Sequence, residues 1–249
     1  MEFFKELISR VLISKKICTQ RNAKIFIKKN EIIVNDIKID DPSFLVDSEH
    51  DVIFVNGTRL MPFSHIYLMM NKPCGAVCST VSDSHKTVFD FIPQSLSLDL
   101  DSLKCCGRLD CDTSGLLLFS TNGTFLHNIT SPESNITKTY YAHLRDKVSA
   151  SDMTKYKDAA ASGITIPAQK KSPELKCAPA VINFINESEC TITVTEGKFH
   201  EVRRIFLALE NEVTSLKRIA IGSLILDKNL QEGECSLVSE EELKKIFIN

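Results

Sequence analysis

The sequence predicts an α+β protein in two parts, a small N-terminal module followed by a larger domain, and three observations predict it. The 249 residues are 43% hydrophobic and 25% charged, the balance of a folded chain with a core to bury and not of a disordered tail or a coiled coil. Short β-type runs and amphipathic helical runs alternate from end to end, without internal repeats or low-complexity sequence. Positive charge gathers at one end: residues 1–30 hold eight Lys and Arg against Glu2 and Glu6, a local charge of +6 in a chain whose formal net charge is -2.

The same arithmetic closes off several functions. The apolar run Leu116 to Phe119 is far short of the ~20 residues a membrane span needs. Acidic Glu2 and Glu6 stand where a secretory leader needs a positive start and a longer apolar stretch. A cytoplasmic protein with no membrane contact is therefore expected. The nine cysteines include no C-x-x-C pair and the six histidines no H-E-x-x-H set, so reduced, mostly buried thiols and no metal site are expected.

From the N-terminus, Thr19 is placed to cap a helix running to about Asn30. Within it Arg21, Lys24 and Lys28 recur at i, i+3 and i+7, one face at 100° per residue, while Ala23, Phe26 and Ile27 face away. Two short β patterns follow, 32–34 and 37–39, joined by Asn35-Asp36, which tolerate the positive φ of a tight hairpin. Residues 52–55 read as a closing strand. Such a charge stripe suits a solvated helix face as well as phosphate contacts. The order of helix, basic helix, EIIVNDIKI hairpin and DSEHDVIFVNG closing strand resembles the S4 domain, a small RNA-binding module of a ribosomal protein and several RNA-modifying enzymes. The resemblance implies an S4-like RNA-binding domain over 1–58, with Arg21, Lys24 and Lys28 touching RNA. Thr19-Gln20-Arg21 stands where that module usually opens its basic helix with Ser-Arg.

A connector over 58–64, with Pro62, leads into the second domain, 65–249, which begins at His65-Ile66-Tyr67-Leu68-Met69-Met70. Gly115 to Ser120, bracketed by turn-forming residues, is unbroken enough to be a strand buried on both faces. Val202, Ile205, Phe206 and Leu209 line one face of a helix, and Ser239 with Glu242 forms a capping box for a last one.

Gly107-Arg108-Leu109-Asp110-Cys111-Asp112-Thr113-Ser114-Gly115 sets two carboxylates and an arginine in a glycine-bounded loop feeding that buried strand, a place where a rigid scaffold holds reactive groups exposed. Asp110 suits a nucleophile or base. The spacing equally suits a turn whose carboxylates accept backbone hydrogen bonds, with Arg108 paired to one of them. Lys138 and Tyr140 point to one side of an extended segment, where a tyrosine stacks on a base or fills a core. Arg203 sits at the border of the buried helix seam, to pair with a carboxylate or to snorkel.

Together, NKPCGAVCST at 71–80, GRLDCDTSGLLLFSTNG at 107–123, KTYYAHL at 138–144 and EGKFHEVRRIFLALENEVTSLKRIAIGSLIL at 196–226 resemble the pseudouridine synthases of the RsuA type, in order and spacing across nearly the whole chain. The resemblance implies a catalytic domain built on a mainly antiparallel sheet flanked by helices. It implies an isomerase of small-subunit (16S) rRNA uridine, free or in a partly assembled small subunit, working without a cofactor. A monomer is expected, since the sequence shows no obvious self-complementary stripe. It assigns the catalytic nucleophile to Asp110, the base-stacking tyrosine to Tyr140 and the cationic partner of Asp110 to Arg203, with Arg108 and Lys138 binding substrate. Glu201 stands where the family commonly has Gln. A large-subunit (23S) rRNA substrate, or a non-catalytic RNA-binding assembly protein, are the alternatives.

Overall fold

The computed structural model describes residues 4–60, 65–96, 102–170 and 172–248, so the connector at Pro62 lies outside the described residues. The chain forms two compact units, Met1–Ile66 with Ser120–Asn128, and Tyr67–Phe119 with Ile129–Asn249.

In the first unit, helices Ile8–Ser14 and Ala23–Lys29 accompany a four-stranded antiparallel sheet in the order Ile37–Ile39, Ile32–Val34, Ile53–Val55, Thr58–Arg59. Ile8, Leu12, Ile27, Ile32 and Val46 share its core. Asn35 (φ 47°) and Asp36 (φ 66°) make the hairpin turn left-handed at both central residues, as its two-residue length requires. Lys24, Lys28 and Arg21 are exposed while Ala23 and Ile27 are buried, as a 100° repeat dictates. The cap expected at Thr19 is not made. Its hydroxyl and N–H both donate to Asn22 Oδ1 (3.0 and 2.7 Å), so the helix opens after this turn, at Ala23.

Residues 120–128 join this unit through specific contacts. Asn122 donates to the Phe4 carbonyl at 2.8 Å and accepts the Thr124 and Phe125 amides, Phe125 stacks on Phe4 at 5.3 Å, and His65 lies between Glu6 Oε2 (2.9 Å) and Thr121 Oγ1 (3.3 Å). The unit is therefore discontinuous in sequence, which no composition shift marks.

The second unit is built on a nine-stranded sheet. Its main path runs Val181–Phe184, Glu189–Val194, Lys138–Leu144, Val213–Ile221, Thr113–Ser120, Tyr67–Lys72, Cys235–Leu237, with Lys104–Cys105 and Leu224–Ile225 off that path. Thr113–Ser120 pairs parallel with Val213–Ile221, whereas Val213–Ile221 with Lys138–Leu144, Lys138–Leu144 with Glu189–Val194, Glu189–Val194 with Val181–Phe184 and Tyr67–Lys72 with Cys235–Leu237 all pair antiparallel, a mixed sheet of mainly antiparallel character. All eight residues of Thr113–Ser120 are buried, as the apolar run predicts. Helices Ala150–Ala161 and Glu201–Ala208 flank the sheet, and Val202, Ile205 and Phe206 join Leu144, Ile182, Ile192 and Leu216 in its core. Ser239 and Glu242 form the capping box of Glu240–Leu243. Among the described residues no helix is long and apolar enough to cross a membrane.

Candidate active site

A cavity of about 690 Å³ opens in the second unit, and Asp110, Arg108, Lys138, Tyr140 and Arg203 all line it. Three neighbouring strands build one wall. Register sets Tyr140 opposite Arg218, and Arg218 opposite Gly115, so the phenol and the guanidinium stand side by side across the sheet. Arg218 is 4% exposed; its Nε donates to the Leu116 carbonyl at 2.8 Å, and its Nη2 has no partner among the described residues. Lys138 is held by the Thr195 carbonyl at 3.3 Å, and burial, then the charge of Arg218, pulls its pKa down.

The loop carrying Asp110 is fixed from below by Lys72. This lysine is fully buried and its Nζ donates to the carbonyls of Pro73 (3.0 Å), Asp110 (3.1 Å), Cys111 (3.4 Å) and Thr113 (2.8 Å). Burial lowers its pKa, opposed by Cys78, Cys74, Cys111 and Asp110. A buried ammonium has three N–H groups to satisfy, and the four carbonyls that share them draw the loop into one conformation.

Arg203 does not take Asp110 as its partner. Its Nη1 donates to the Val213 carbonyl at 2.8 Å and its Nη2 to the Asp112 carbonyl at 3.1 Å, and these two anchors set Nη2 3.0 Å from Asp112 Oδ2. Asp110 Oδ1 instead lies 3.6 Å from His200 Nε2. Arg108 is exposed on the cavity and forms no ion pair among the described residues. Arg204, next to Arg203, is fully buried and donates to Pro167 O, Phe199 O, Pro173 O and Ser172 Oγ, so of two adjacent arginines one serves the cavity and one the frame.

A family model described as RNA pseudouridylate synthase matches residues 66–208. The chain belongs to the pseudouridine synthase family. The ribosomal small subunit pseudouridine synthase A of Haemophilus influenzae is 32% identical over 228 residues, 92% of this chain and 94% of that protein. Its counterpart in Escherichia coli K12 is 33% identical over 220 residues, 88% and 90% of the two chains. A pseudouridylate synthase crystal structure matches with a TM-score of 0.66 at 31% identity, covering 96% of this chain and 98% of that one. The protein is an isomerase.

Arg21, Lys24 and Lys28 of this synthase belong to the other unit and are not part of the cavity. Sequence reasoning passed over three residues of the site, Lys72, His200 and Arg218. The signals were present, a lysine before a proline and a histidine and an arginine inside matched stretches, but their roles depend on partners far away in the chain. The cysteines also depart from expectation: all nine are free thiols, but only four are buried. Cys74, Cys78, Cys105 and Cys111 sit in or beside the loops around Lys72 and Asp110, not in the core. The Cys105 thiol donates to Cys78, and with the Leu109 amide (3.4 Å) and the charges of Lys72 and Arg218 it pulls Cys78 down to about 6, against burial.

Among the described residues one group of metal-ligating side chains converges, Cys177, Glu196 and Glu201, their ligand atoms within 4.8 Å of one another. Its charge is already answered by protein. Lys198 Nζ lies 2.5 Å from Glu196 Oε2, the Lys198 and Ala178 amides donate to Glu201 and Glu196, and burial pushes the Cys177 thiol up to about 12, leaving it a proton donor. The group reads as a hydrogen-bonded cluster.

Proposed function

We propose that this synthase isomerises a specific uridine of small-subunit (16S) rRNA, with Asp110 as the nucleophile. The relatives named as small-subunit enzymes support the substrate. The observation that carries the mechanism is the convergence of Asp110, Tyr140, Lys138, Arg108 and Arg203 on one cavity of about 690 Å³, within the range of pockets that hold a nucleotide-sized ligand. The target nucleotide leaves its stack to enter, at a cost of a few kcal/mol that is least in a loop or in partly folded rRNA. Free rRNA or a partly assembled small subunit is therefore the substrate we favour.

In the reaction the N1–C1′ bond of uridine breaks, the base turns, C5 joins C1′, the C5 proton leaves and N1 gains one. No electrons are gained or lost, so the chemistry needs no cofactor. Asp110 supplies the nucleophilic carboxylate. Tyr140 offers its ring to the flipped base, a contact worth ~1–3 kcal/mol. Arg203 adds positive charge on the loop of Asp110 from its seat on Asp112, Lys138 is a cation for the nucleotide, and exposed Arg108 holds or replaces what has flipped out. Residues 1–58 act as an S4-like RNA-binding domain whose Arg21, Lys24 and Lys28 meet phosphates. The enzyme works as a cytoplasmic monomer.

Release of the C5 hydrogen from isotopically labelled small-subunit rRNA tests this reading. Release by the wild type and none by Asp110→Asn is expected. Equal release by both would remove Asp110 from the mechanism. Release from large-subunit rRNA alone would change the substrate, and none from any RNA would leave a binding scaffold.

A further inference from the structure

We propose that His200 is the residue that positions the Asp110 carboxylate, with Gln169 and Phe199 fixing its ring; the proposal rests on the reading of Asp110 as nucleophile. The main chain of Asp110 is held by Lys72, but its side chain, 36% exposed, has one basic side chain within ion-pair distance among the described residues, His200, at 3.6 Å. Arg203, the cation the family resemblance offers for this task, has its Nη1 on Val213 O and its Nη2 on Asp112 O and the Asp112 carboxylate.

The imidazole is built in place. His200 precedes the helix Glu201–Ala208 with a left-handed backbone (φ 48°, ψ 35°), a conformation unfavourable for a non-glycine residue that persists where surroundings over-determine it. The ring lies 3.9 Å from the Phe199 ring at 17°, and Nδ1 lies 3.2 Å from Gln169 Oε1. Buried Arg204 secures both supports, since its four acceptors are Phe199 O and three groups between Pro167 and Pro173, the segment that carries Gln169. With Nδ1–H donating to Gln169 Oε1, Nε2 is the atom left to face Asp110, and it holds a carboxylate oxygen by carrying the ring's second proton. A separation of 3.6 Å is within ion-pair reach and longer than a hydrogen bond, a spacing that catalytic contacts commonly show before substrate closes them. His200 thereby holds one carboxylate oxygen against the wall and leaves the other to the cavity.

The variants that test this must tolerate positive φ, so His200→Gly and His200→Asn are used, and His200→Ala is not. Saturating C5 hydrogen release by His200→Gly should fall ~10–100-fold, as misplacement of a reacting group by about 1 Å predicts, with KM for rRNA changed less than about threefold. Added imidazole should restore part of the rate in His200→Gly and none in Asp110→Asn. In parallel, the side-chain nitrogen resonances of His200 should shift in Asp110→Asn and stay in place in Asp112→Asn. Wild-type turnover in both His200 variants while Asp110→Asn is inactive would overturn the positioning role alone, as would a loss confined to KM or resonances indifferent to Asp110. Wild-type turnover by Asp110→Asn would instead overturn the nucleophile and this proposal with it.

Discussion

Gly115 lies in parallel register with Arg218, and a Cβ on Gly115 would collide with the Arg218 carbonyl oxygen and stand 2.8 Å from its backbone nitrogen. The missing side chain lets the strands Thr113–Ser120 and Val213–Ile221 close where the first leaves the Asp110 loop. It also seats the Arg218 guanidinium in the cavity wall, beside Tyr140. The glycine that ends the loop is thus a structural condition of the site.

Replacing Gly115 by Ala should destabilise the protein by ~3 kcal/mol or more, because the collision is with backbone and the residue's φ of 101° disfavours any Cβ. Urea unfolding would measure it. A destabilisation below about 1 kcal/mol would mean that the two strands part without cost.

Lys72→Met keeps the volume and removes the ammonium, leaving the buried Thr113 carbonyl and the part-buried carbonyls of Pro73, Asp110 and Cys111 short of a donor. Each group left unsatisfied costs ~1–3 kcal/mol, so a clear fall in thermal stability is expected together with disappearance of C5 hydrogen release. Retained activity in a folded Lys72→Met would show that the loop around Asp110 holds itself.

The depressed value of Cys78, about 6, gives a pH signature. A thiol whose folded value lies below its unfolded one contributes stability above the ordinary thiol range, and that contribution is lost as pH falls through about 6. Alkylation of Cys78 by iodoacetamide, followed by peptide mapping from about pH 5 to 9, should rise with a midpoint near 6. Buried Cys106, Cys177 and Cys190, each pushed up to about 12, should stay unmodified throughout. A Cys78 midpoint of about 8.5, the value of an unperturbed thiol, would mean that neither Cys105 nor the two cations act on it.

Alanine at Arg21, Lys24 or Lys28 should weaken rRNA binding and flatten the dependence of log affinity on log salt by about one unit for each phosphate that the side chain no longer neutralises. Titrations at several salt concentrations would read it. Three unchanged slopes would take this helix face out of the RNA interface.

Much of the scaffold was legible in local pattern. The buried strand at Thr113–Ser120, the amphipathic helix at Glu201–Ala208, the hairpin at Asn35-Asp36 and the exposed stripe of Arg21, Lys24 and Lys28 follow from periodicity and turn chemistry, which act over a few residues. The cavity residues Asp110, Tyr140, Arg203, Arg108 and Lys138 were found by motif. Their partners were not, and the cap expected at Thr19 failed because a neighbouring Asn22 competed for the hydroxyl.

The sequence by itself determined the class of fold, the family and the set of groups offered to the cavity. Only the tertiary structure decided which group meets which: Arg203 with Asp112, His200 with Asp110, and Lys72 with the carbonyls of the Asp110 loop. Those pairs join residues tens of positions apart, and sheet register and backbone anchors bring them together. Side chains alternate faces along a strand, so a slip of one residue would exchange every partner while leaving the local pattern untouched.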